Sequence, residues 1–370
     1  MTLFWASVGG LAIIWVAYPL IVAAMAAVRS AAANDRAPAP TRVSVVIASS
    51  DTAASIRARV ADVLLADYPS DLISMVVALD YSSARATLQE LVGLDPRVEV
   101  VHGDPPGGKA SALNAAVRAA RGDVLVFTDT AQSFDPRAIS ELVAALGDSR
   151  LGAVSGYLEL ERAQRGGTLA HVYWRYERAL RGYEARLHSS VGVTGAIYAM
   201  RRQLWNPLPA GLILDDVYTP MRLAVAGWRI GFTTRAVAFD ERRFTPVQEY
   251  HRKVRTLTGV IQLCAWQPAV LDPFRNPIWT QFVAHKLLRL LTPYLALVAV
   301  FAVLWRAAEF VIASGEVSIV YAALAAIAFT ILVPRLRRAV LAQLSWAWAL
   351  QSSALVASIN GLKGNWDVWK

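Results

Sequence analysis

Leu3–Val28 carries no charged side chain over 26 residues. At 1.5 Å of rise per residue, a helix of that length crosses a bilayer core of about 30 Å. Three more apolar stretches lie toward the other end: Leu290–Trp305, Val317–Val333 and Ala339–Leu362. Arg289 and Arg306 flank the first of these, and their long stems can carry the charge to a headgroup layer. A signal peptide is the competing reading of Leu3–Val28. No Lys or Arg precedes that stretch, however, and its apolar run exceeds an h-region of about 7–15 residues. Buried helices of a soluble core compete for the two shorter stretches. A mean hydropathy of +0.38 over 370 residues is high for a wholly soluble chain, and the excess is clustered. The reading is one N-terminal and about three C-terminal transmembrane helices.

Charges orient these helices. Arg29 and Arg36 follow the first span, and Arg335, Arg337 and Arg338 separate the third from the fourth. The positive-inside rule then places residues 30–285 and the 334–338 loop in the cytoplasm, with both termini outside. Trp5, Trp305, Trp366 and Trp369 fall near span ends, where aromatic belts or ordinary packing account for them. The net charge of +9 is dispersed among span flanks and motifs, so anionic headgroups and a diphosphate explain it better than nucleic acid. The single Cys264 excludes an intrachain disulfide and a thiolate cage, and reads as a small buried hydrophobe.

Between the spans, SAAANDRAPAPT (30–41) reads as a linker. Strand and helix patterns then alternate. Strands are expected at Arg42–Ser49, Ile73–Leu79, 97–103, 123–129 and 151–160. Helices are expected at Ile56–Ala66, Ala84–Val92, Lys109–Ala120 and Ala138–Leu146. Such alternation predicts a mostly parallel sheet covered on both faces, with ligands at the carboxyl ends of its strands. Asp51, Asp80 and Asp129 all fall just past strand ends, so one crevice can gather them.

Four motifs carry chemistry. GDPPGGKA (103–110) matches G-x-x-x-x-G-K, but position 110 is Ala where a phosphate loop needs Ser or Thr for magnesium, which argues against an NTPase. Lys109 at a helix start still attracts anions. Asp215 and Asp216 end an apolar run; adjacent side chains diverge, so one is expected in the crevice and the other as a cap for the following helix. A buried carboxylate beside a hydroxyl suits a general base. Arg252 and Arg255 share a helical face and suit a diphosphate, or alternatively lipid headgroups. Val124–Pro136 delivers Asp129 from a buried strand, with Ala131 two residues on. Asp135 and Pro136 read as N-cap and first residue of the next helix, not as a replacement ligand. The five histidines show no metal-ligand spacing.

From about residue 42 to 260 these residues resemble the membrane-integrated branch of glycosyltransferase family 2. That branch includes hyaluronan, cellulose and chitin-oligosaccharide synthases and ceramide glucosyltransferase. The resemblance implies a GT-A fold, an α/β Rossmann-like, mostly parallel cytoplasmic sheet. It places Ser49, Asp51 and Asp80 at the nucleoside, and Lys109 at the donor. Asp129 becomes the first acid of D-x-D and a ligand of Mg2+ or Mn2+. Thr194 and Gly195, within VTGAIYAMRR, fall beside the acceptor. Asp215-Asp216 becomes the catalytic pair with Asp216 as base, and Arg252 and Arg255 sit at the departing diphosphate. Ala131 replaces the second acid of D-x-D, and Thr256 replaces the tryptophan of the last motif, which removes a stacking surface for an acceptor sugar.

The expected organisation is a transmembrane helix at 1–29, a linker at 30–41, a GT-A domain at 42–270, an interfacial segment at 271–289, three transmembrane helices at 290–362 and a tail at 363–370. The expected function is inverting transfer from a nucleotide-sugar, UDP-linked, to a glycan or lipid acceptor, in envelope or extracellular polysaccharide synthesis. A ceramide-type glycolipid transferase is the near alternative. A degenerate scaffold or regulatory subunit of a synthase complex is the alternative of another class. The partners expected are the donor, the acceptor, the bilayer of a bacterial-type inner or plasma membrane, and a second copy or partner subunit, but no nucleic acid.

Overall fold

The computed structural model describes residues 1–29, 41–83, 85–160, 169–242, 245–315 and 318–368. The expected linker, save Thr41, lies outside the described residues, as does Trp369. The chain divides into two compact units. One comprises Val22–Arg243 and Gln262–Phe282; the other comprises Met1–Ile21, Phe244–Ile261 and Val283–Lys370.

The chain opens with α1 (Thr2–Ala12) and α2 (Tyr18–Val28), joined by a π turn into one continuous helix. The sheet unit then begins with β1 (Val43–Ser49), α3 (Ala53–Leu64), β2 (Ile73–Leu79), α4 (Arg85–Leu91) and β3 (Val98–His102). It continues through α5 (Lys109–Ala119), β4 (Val124–Phe127), β5 (Ser133–Phe134) and α6 (Ala138–Ala145). The remainder is β6 (Leu151–Leu160), α7 (Leu169–Leu187), β7 (Tyr198–Arg201), α8 (Asp215–Val225) and β8 (Arg229–Asp240). The order across the sheet is β3-β2-β1-β4-β7-β6-β8-β5. The β1/β2, β2/β3, β1/β4 and β6/β8 pairs are parallel, whereas β7 runs antiparallel to both β4 and β6, and β5 runs antiparallel to β8.

The expected alternation therefore holds as far as β4. Beyond it the sheet is mixed, because the four-residue β7 is too short to show a period. Inserting β7 leaves β6 and β8 parallel to β4, so the carboxyl ends of β1, β2, β4, β6 and β8 share one edge.

Strands β1 and β2 are continuous apolar runs because both faces are covered; Val45, Val46, Ile47, Val77 and Leu79 are fully buried. The α3 and α6 helices supply Ile56, Val60, Ile139 and Leu142 to the same core. On α5 the buried face is mostly small, with Ala110, Ser111, Ala112, Ala115 and Ala116 beside Leu113 and Val117. That allows the close approach seen at Gly103, where a Cβ would stand 3.1 Å from the Cα of Ala112.

Helix α6 corrects one expectation. Its N-cap is Arg137, without a side-chain bond. Asp135 instead accepts the Arg137 N–H at 2.9 Å, while its own N–H bonds Val237 of β8. The chain is leaving a strand at that point, so Asp135 closes a turn ahead of the helix.

The helical unit contains the first part of α9 (Pro246–Trp266), then α11 (Thr292–Ser314), α12 (Ser318–Leu332) and α13 (Pro334–Lys363). The short α10 (Trp279–Phe282) runs through π and 3-10 turns into α11. The α1 helix packs on α11, with Gly10 against Leu295, and Trp15 Nε1 donates to Thr292 Oγ1 at 3.1 Å. Among the described residues two helices are long and apolar enough to cross a membrane, Thr2–Val28 (27 residues) and Trp279–Ser314 (36 residues). The expected interfacial segment thus already contains the start of the second. Val320–Leu332 is apolar but shorter. Leu3, Phe301, Leu304 and Phe329 are each more than 60% exposed, the kind of apolar surface that lipid or a partner covers.

Candidate active site

Three loops meet at the carboxyl edge of the sheet. After β1, Ser49 Oγ accepts the Asp51 N–H at 3.0 Å and the Thr130 hydroxyl at 2.8 Å. This links the first loop to the one after β4. After β2, Asp80 Oδ1 accepts from the Ser82 N–H (2.9 Å) and hydroxyl (2.5 Å), and Oδ2 accepts the Gly108 N–H at 2.6 Å. Burial opposes the Asp80 charge, but these bonds outweigh it and hold its pKa below the usual carboxylate value. Asp80 thus buckles the Gly107-Gly108 turn, in which both glycines take positive φ (91° and 86°) that a side chain would strain. The turn aims the start of α5 into the crevice, with Gly108 as N-cap and Lys109 as first residue.

Lys109 organises the site. Its Nζ stands 3.0 Å from Asp129 Oδ1 and 3.4 Å from Asp215 Oδ1. Burial disfavours the ammonium, but Asp129, Asp215 and Asp216 together overcome it and raise its pKa, so Lys109 stays charged. A phosphate-loop lysine reaches toward phosphates; this one is engaged by carboxylates, which sets the NTPase reading aside.

Asp215 and Asp216 open α8, whose N-cap is Leu214 without a side-chain bond. Neither acid caps the helix, contrary to expectation. Both belong to the cluster: Asp215 is buried and paired with Lys109, and Asp216 is half-buried. Burial, then the Asp215 charge, pushes the Asp216 carboxyl up to about 6, against the pull of Lys109 and Arg181. The Asp216 carbonyl accepts the Val193 N–H at 2.9 Å, and a Cβ on Gly195 would stand 3.3 Å from Oδ2. The segment expected beside the acceptor is therefore stitched against the expected base. Thr194 is fixed by its N–H to Ser155 Oγ (2.8 Å) and by Arg181 Nη1 (3.4 Å).

Several residues here escaped sequence reading. Arg181 of α7 lies in the field of Asp216. Arg242, just past β8, pairs with Asp240 at 2.8 Å, and its charge is further stabilised by Asp129 and Asp51. Tyr198 of β7 is buried, stacks on Phe127 at 4.6 Å, and has no partner for its hydroxyl. Burial, then Asp215, Asp216 and Asp129, drives its pKa well above the ordinary value. Arg59, buried under the β4 loop, donates to Thr128 Oγ1 at 2.7 Å. Arg181, Arg242 and Arg59 stand in no recognisable motif, and Tyr198 lies within VTGAIYAMRR without a charge to mark it.

Arg252 and Arg255 lie on α9 in the helical unit, not in the unit that holds the carboxylates. Arg252 pairs there with Glu249 at 3.3 Å. Cys264 is half-buried, and burial pushes its thiol up to about 11.

Among the described residues no group of three or more acidic, histidine or cysteine side chains is placed to hold a metal. The chemistry of the site nevertheless suits a cation. Asp129, Asp215 and Asp216 act on one ammonium, with Arg181 beside Asp216 and Arg242 in the field of Asp129. Asp129 is 38% exposed, and magnesium needs only one or two protein carboxylates when phosphate oxygens and water complete its octahedron. The residues fit an ion held jointly with a diphosphate, and do not form a protein cage.

Comparison with known proteins follows the same outline. Residues 39–268 match the family model described as "Glycosyltransferase like family 2". The chain is 24% identical over 232 residues to the probable glycosyltransferase YdaM of Bacillus subtilis, covering 59% of this chain and 55% of YdaM. It is 32% identical over 119 residues to glycosyltransferase AglD of Haloferax volcanii, covering 31% of this chain and 19% of AglD. The chain thus spans about half of one curated relative and a fifth of the other. Among solved structures, the mannosyltransferase PcManGT of Pyrobaculum calidifontis, in complex with GDP-Man and Mn2+, superposes with a TM-score of 0.74 at 20% identity over 98% of both chains. That likeness establishes the GT-A-like fold.

Proposed function

We propose a specific reaction for this chain, which belongs to the glycosyltransferase-like family 2: inverting transfer of a sugar from a nucleoside diphosphate sugar to an acceptor hydroxyl. The observation that carries this reading is the Lys109-centred cluster, with Asp216 set against the Val193–Gly195 segment.

Asp216 is the base. A carboxyl pushed up to about 6 is ionised at neutral pH yet basic enough to draw a hydroxyl proton, and general-base help is worth roughly 10²–10⁴-fold. Asp215 cannot share the task, because its Oδ1 is engaged by Lys109. The acceptor oxygen attacks the anomeric carbon from the face opposite the departing diphosphate, so configuration inverts. Ser49, Asp51 and the Asp80-buckled turn shape the nucleoside end. Lys109, Arg242 and the α5 start offer positive potential to the diphosphate. Arg252 and Arg255 remain proposed diphosphate contacts. A divalent ion held by Asp129 would, when bound, neutralise the charge that builds on the leaving diphosphate.

The sequence resemblance favours uridine in the donor, while PcManGT was solved with GDP-mannose and manganese, so both donor classes belong in the test. The apolar helices, Thr2–Val28 above all, support a membrane-bound enzyme with its sheet unit in the cytoplasm. The acceptor is then a lipid-linked or growing glycan of the envelope, with a glycolipid headgroup the alternative. The decisive experiment supplies labelled UDP- and GDP-sugars to protein in nanodiscs, with and without manganese, and identifies product by mass spectrometry. Transfer by the native chain and none by Asp216→Asn is the expected result. Absence of binding and of donor hydrolysis for every sugar would leave the scaffold reading, which the missing acid at Ala131 favours.

A further inference from the structure

A second charged site lies at the other edge of the sheet. A cavity of about 530 Å³ is lined by Arg29, Arg150, Arg178, Arg186 and Arg229, with Asp148 the one carboxylate among its lining residues. Leu151 of β6 pairs with Arg229 of β8 at the start of both strands. Since β6 and β8 run parallel to β4, this is the edge opposite Asp129.

Structural duties account for only part of this charge. Arg29 donates to the Leu187 carbonyl, and Arg229 donates to those of His188 (2.7 Å) and Ala185 (3.3 Å). These carbonyls end α7, and guanidiniums there complement the helix dipole without being neutralised. Arg150 pairs with Asp148 at 2.7 Å. Arg178 serves neither purpose, and Arg186, in the last turn of α7, adds to the dipole complement without bonding a carbonyl there. Arg178 stacks over Tyr157 at 4.7 Å and donates to its hydroxyl, and Arg186 stands 6.0 Å from the Tyr183 ring. Aromatic support of this kind pre-orients a guanidinium fork, the geometry that recognises phosphate. The cationic field is felt locally: burial lowers the Arg229 pKa and Arg150 lowers it further. Five guanidiniums around one carboxylate repel one another unless an anion joins them.

We propose that this cavity binds a phosphate-bearing anion, independently of sugar transfer. Its volume suits a small headgroup or metabolite. Two sources offer that chemistry, an anionic lipid headgroup or a soluble phosphate. Arg29 follows directly on the apolar helix that ends at Val28, which on the membrane-bound reading sets the cavity at the bilayer surface and makes the headgroup the occupant.

The test uses the full chain and does not require turnover. Protein in phosphatidylcholine nanodiscs is compared with protein in discs containing phosphatidylglycerol, and inorganic phosphate is titrated into the former. Lipid retention is read by native mass spectrometry and unfolding temperature in parallel. The variant Arg150→Gln/Arg186→Gln removes two exposed guanidiniums and leaves all three α7 carbonyl contacts intact. Retention of phosphatidylglycerol is expected to fall about tenfold or more in this variant, with an intermediate loss for Arg150→Lys/Arg186→Lys, which keeps the charge without the fork. Protection by inorganic phosphate in neutral discs, lost in the Gln variant, would identify a soluble occupant of the same site. Equal lipid retention and equal phosphate response in native and both variant proteins would overturn the proposal. Transfer in neutral discs should be unchanged in the variants, so failure here stays separate from failure of the catalytic reading.

Discussion

The two edges of this sheet carry opposite charge. At the carboxyl edge three aspartates surround Lys109; at the amino edge five arginines surround Asp148. The first site gathers carboxylates, and on the proposed reading a cation accompanies its anionic donor. The second has a surplus of positive charge and can take an anion unaided. The difference also fixes protonation. Burial, then the Asp215 charge, raises the Asp216 carboxyl, so this group titrates near neutrality and can move a proton. Guanidiniums do not titrate in the working range, so the arginine cavity can bind but has no proton to exchange.

The sharpest way to break this contrast is at the base. Asp216→Asn should cost roughly 10²–10⁴-fold in transfer while donor binding persists, measured by product formation and donor titration. The same change should stabilise the fold. With a folded pKa near 6 above a reference of 3.8, Asp216 contributes stability that is present below about pH 4 and lost as pH rises through 6. The Asn variant should therefore melt higher than the native protein at pH 8, with the difference vanishing below pH 4. A native protein that is the more stable of the two at pH 8 would contradict this account of Asp216.

Removing the central cation comes next. Lys109→Met takes away a charge that holds the Asp216 carboxyl down, so the acid limb of kcat/KM should move upward from about pH 6, by about one unit. An unmoved limb would mean that a group other than Asp216 sets it. Ala131→Asp then probes the proposed cation. Native protein should bind manganese weakly alone and more tightly with a nucleoside diphosphate, and the added acid should tighten donor-free binding about tenfold. The smallest effect belongs to Gly195→Ala. Its Cβ would press on Asp216 Oδ2 at 3.3 Å, lowering kcat by an estimated few-fold, with the donor KM unchanged.

Much of this was legible beforehand, and the pattern of success is physical. Strands β1 to β4 and β6, with helices α3 to α6, announce themselves because burial on two faces writes continuous apolar runs and burial on one helical face writes a 3.6-residue period. Lys109 at a helix start and Asp129 and Asp216 beyond apolar runs were visible for the same reason: each charge interrupts a buried segment. The uncharged run to Val28 likewise specifies a continuous apolar helix, whatever surrounds it. All of these are properties of neighbours in sequence.

Tertiary structure decided which charges meet. Lys109, Asp129 and Asp215 converge only because antiparallel β7 enters between β4 and β6 and carries the Val193–Gly195 segment to the edge. Asp80 falls just past β2 in sequence, but only the fold brings the Gly108 N–H within 2.6 Å of its carboxylate. Asp215 could cap α8 or pair with Lys109, and a lysine 3.4 Å away outweighed a cap. Arg181, Arg242 and the arginine cavity left no local mark. A side chain's period records that it is buried or exposed; the partner it finds across a hundred residues depends on strand order and register, which no local pattern encodes.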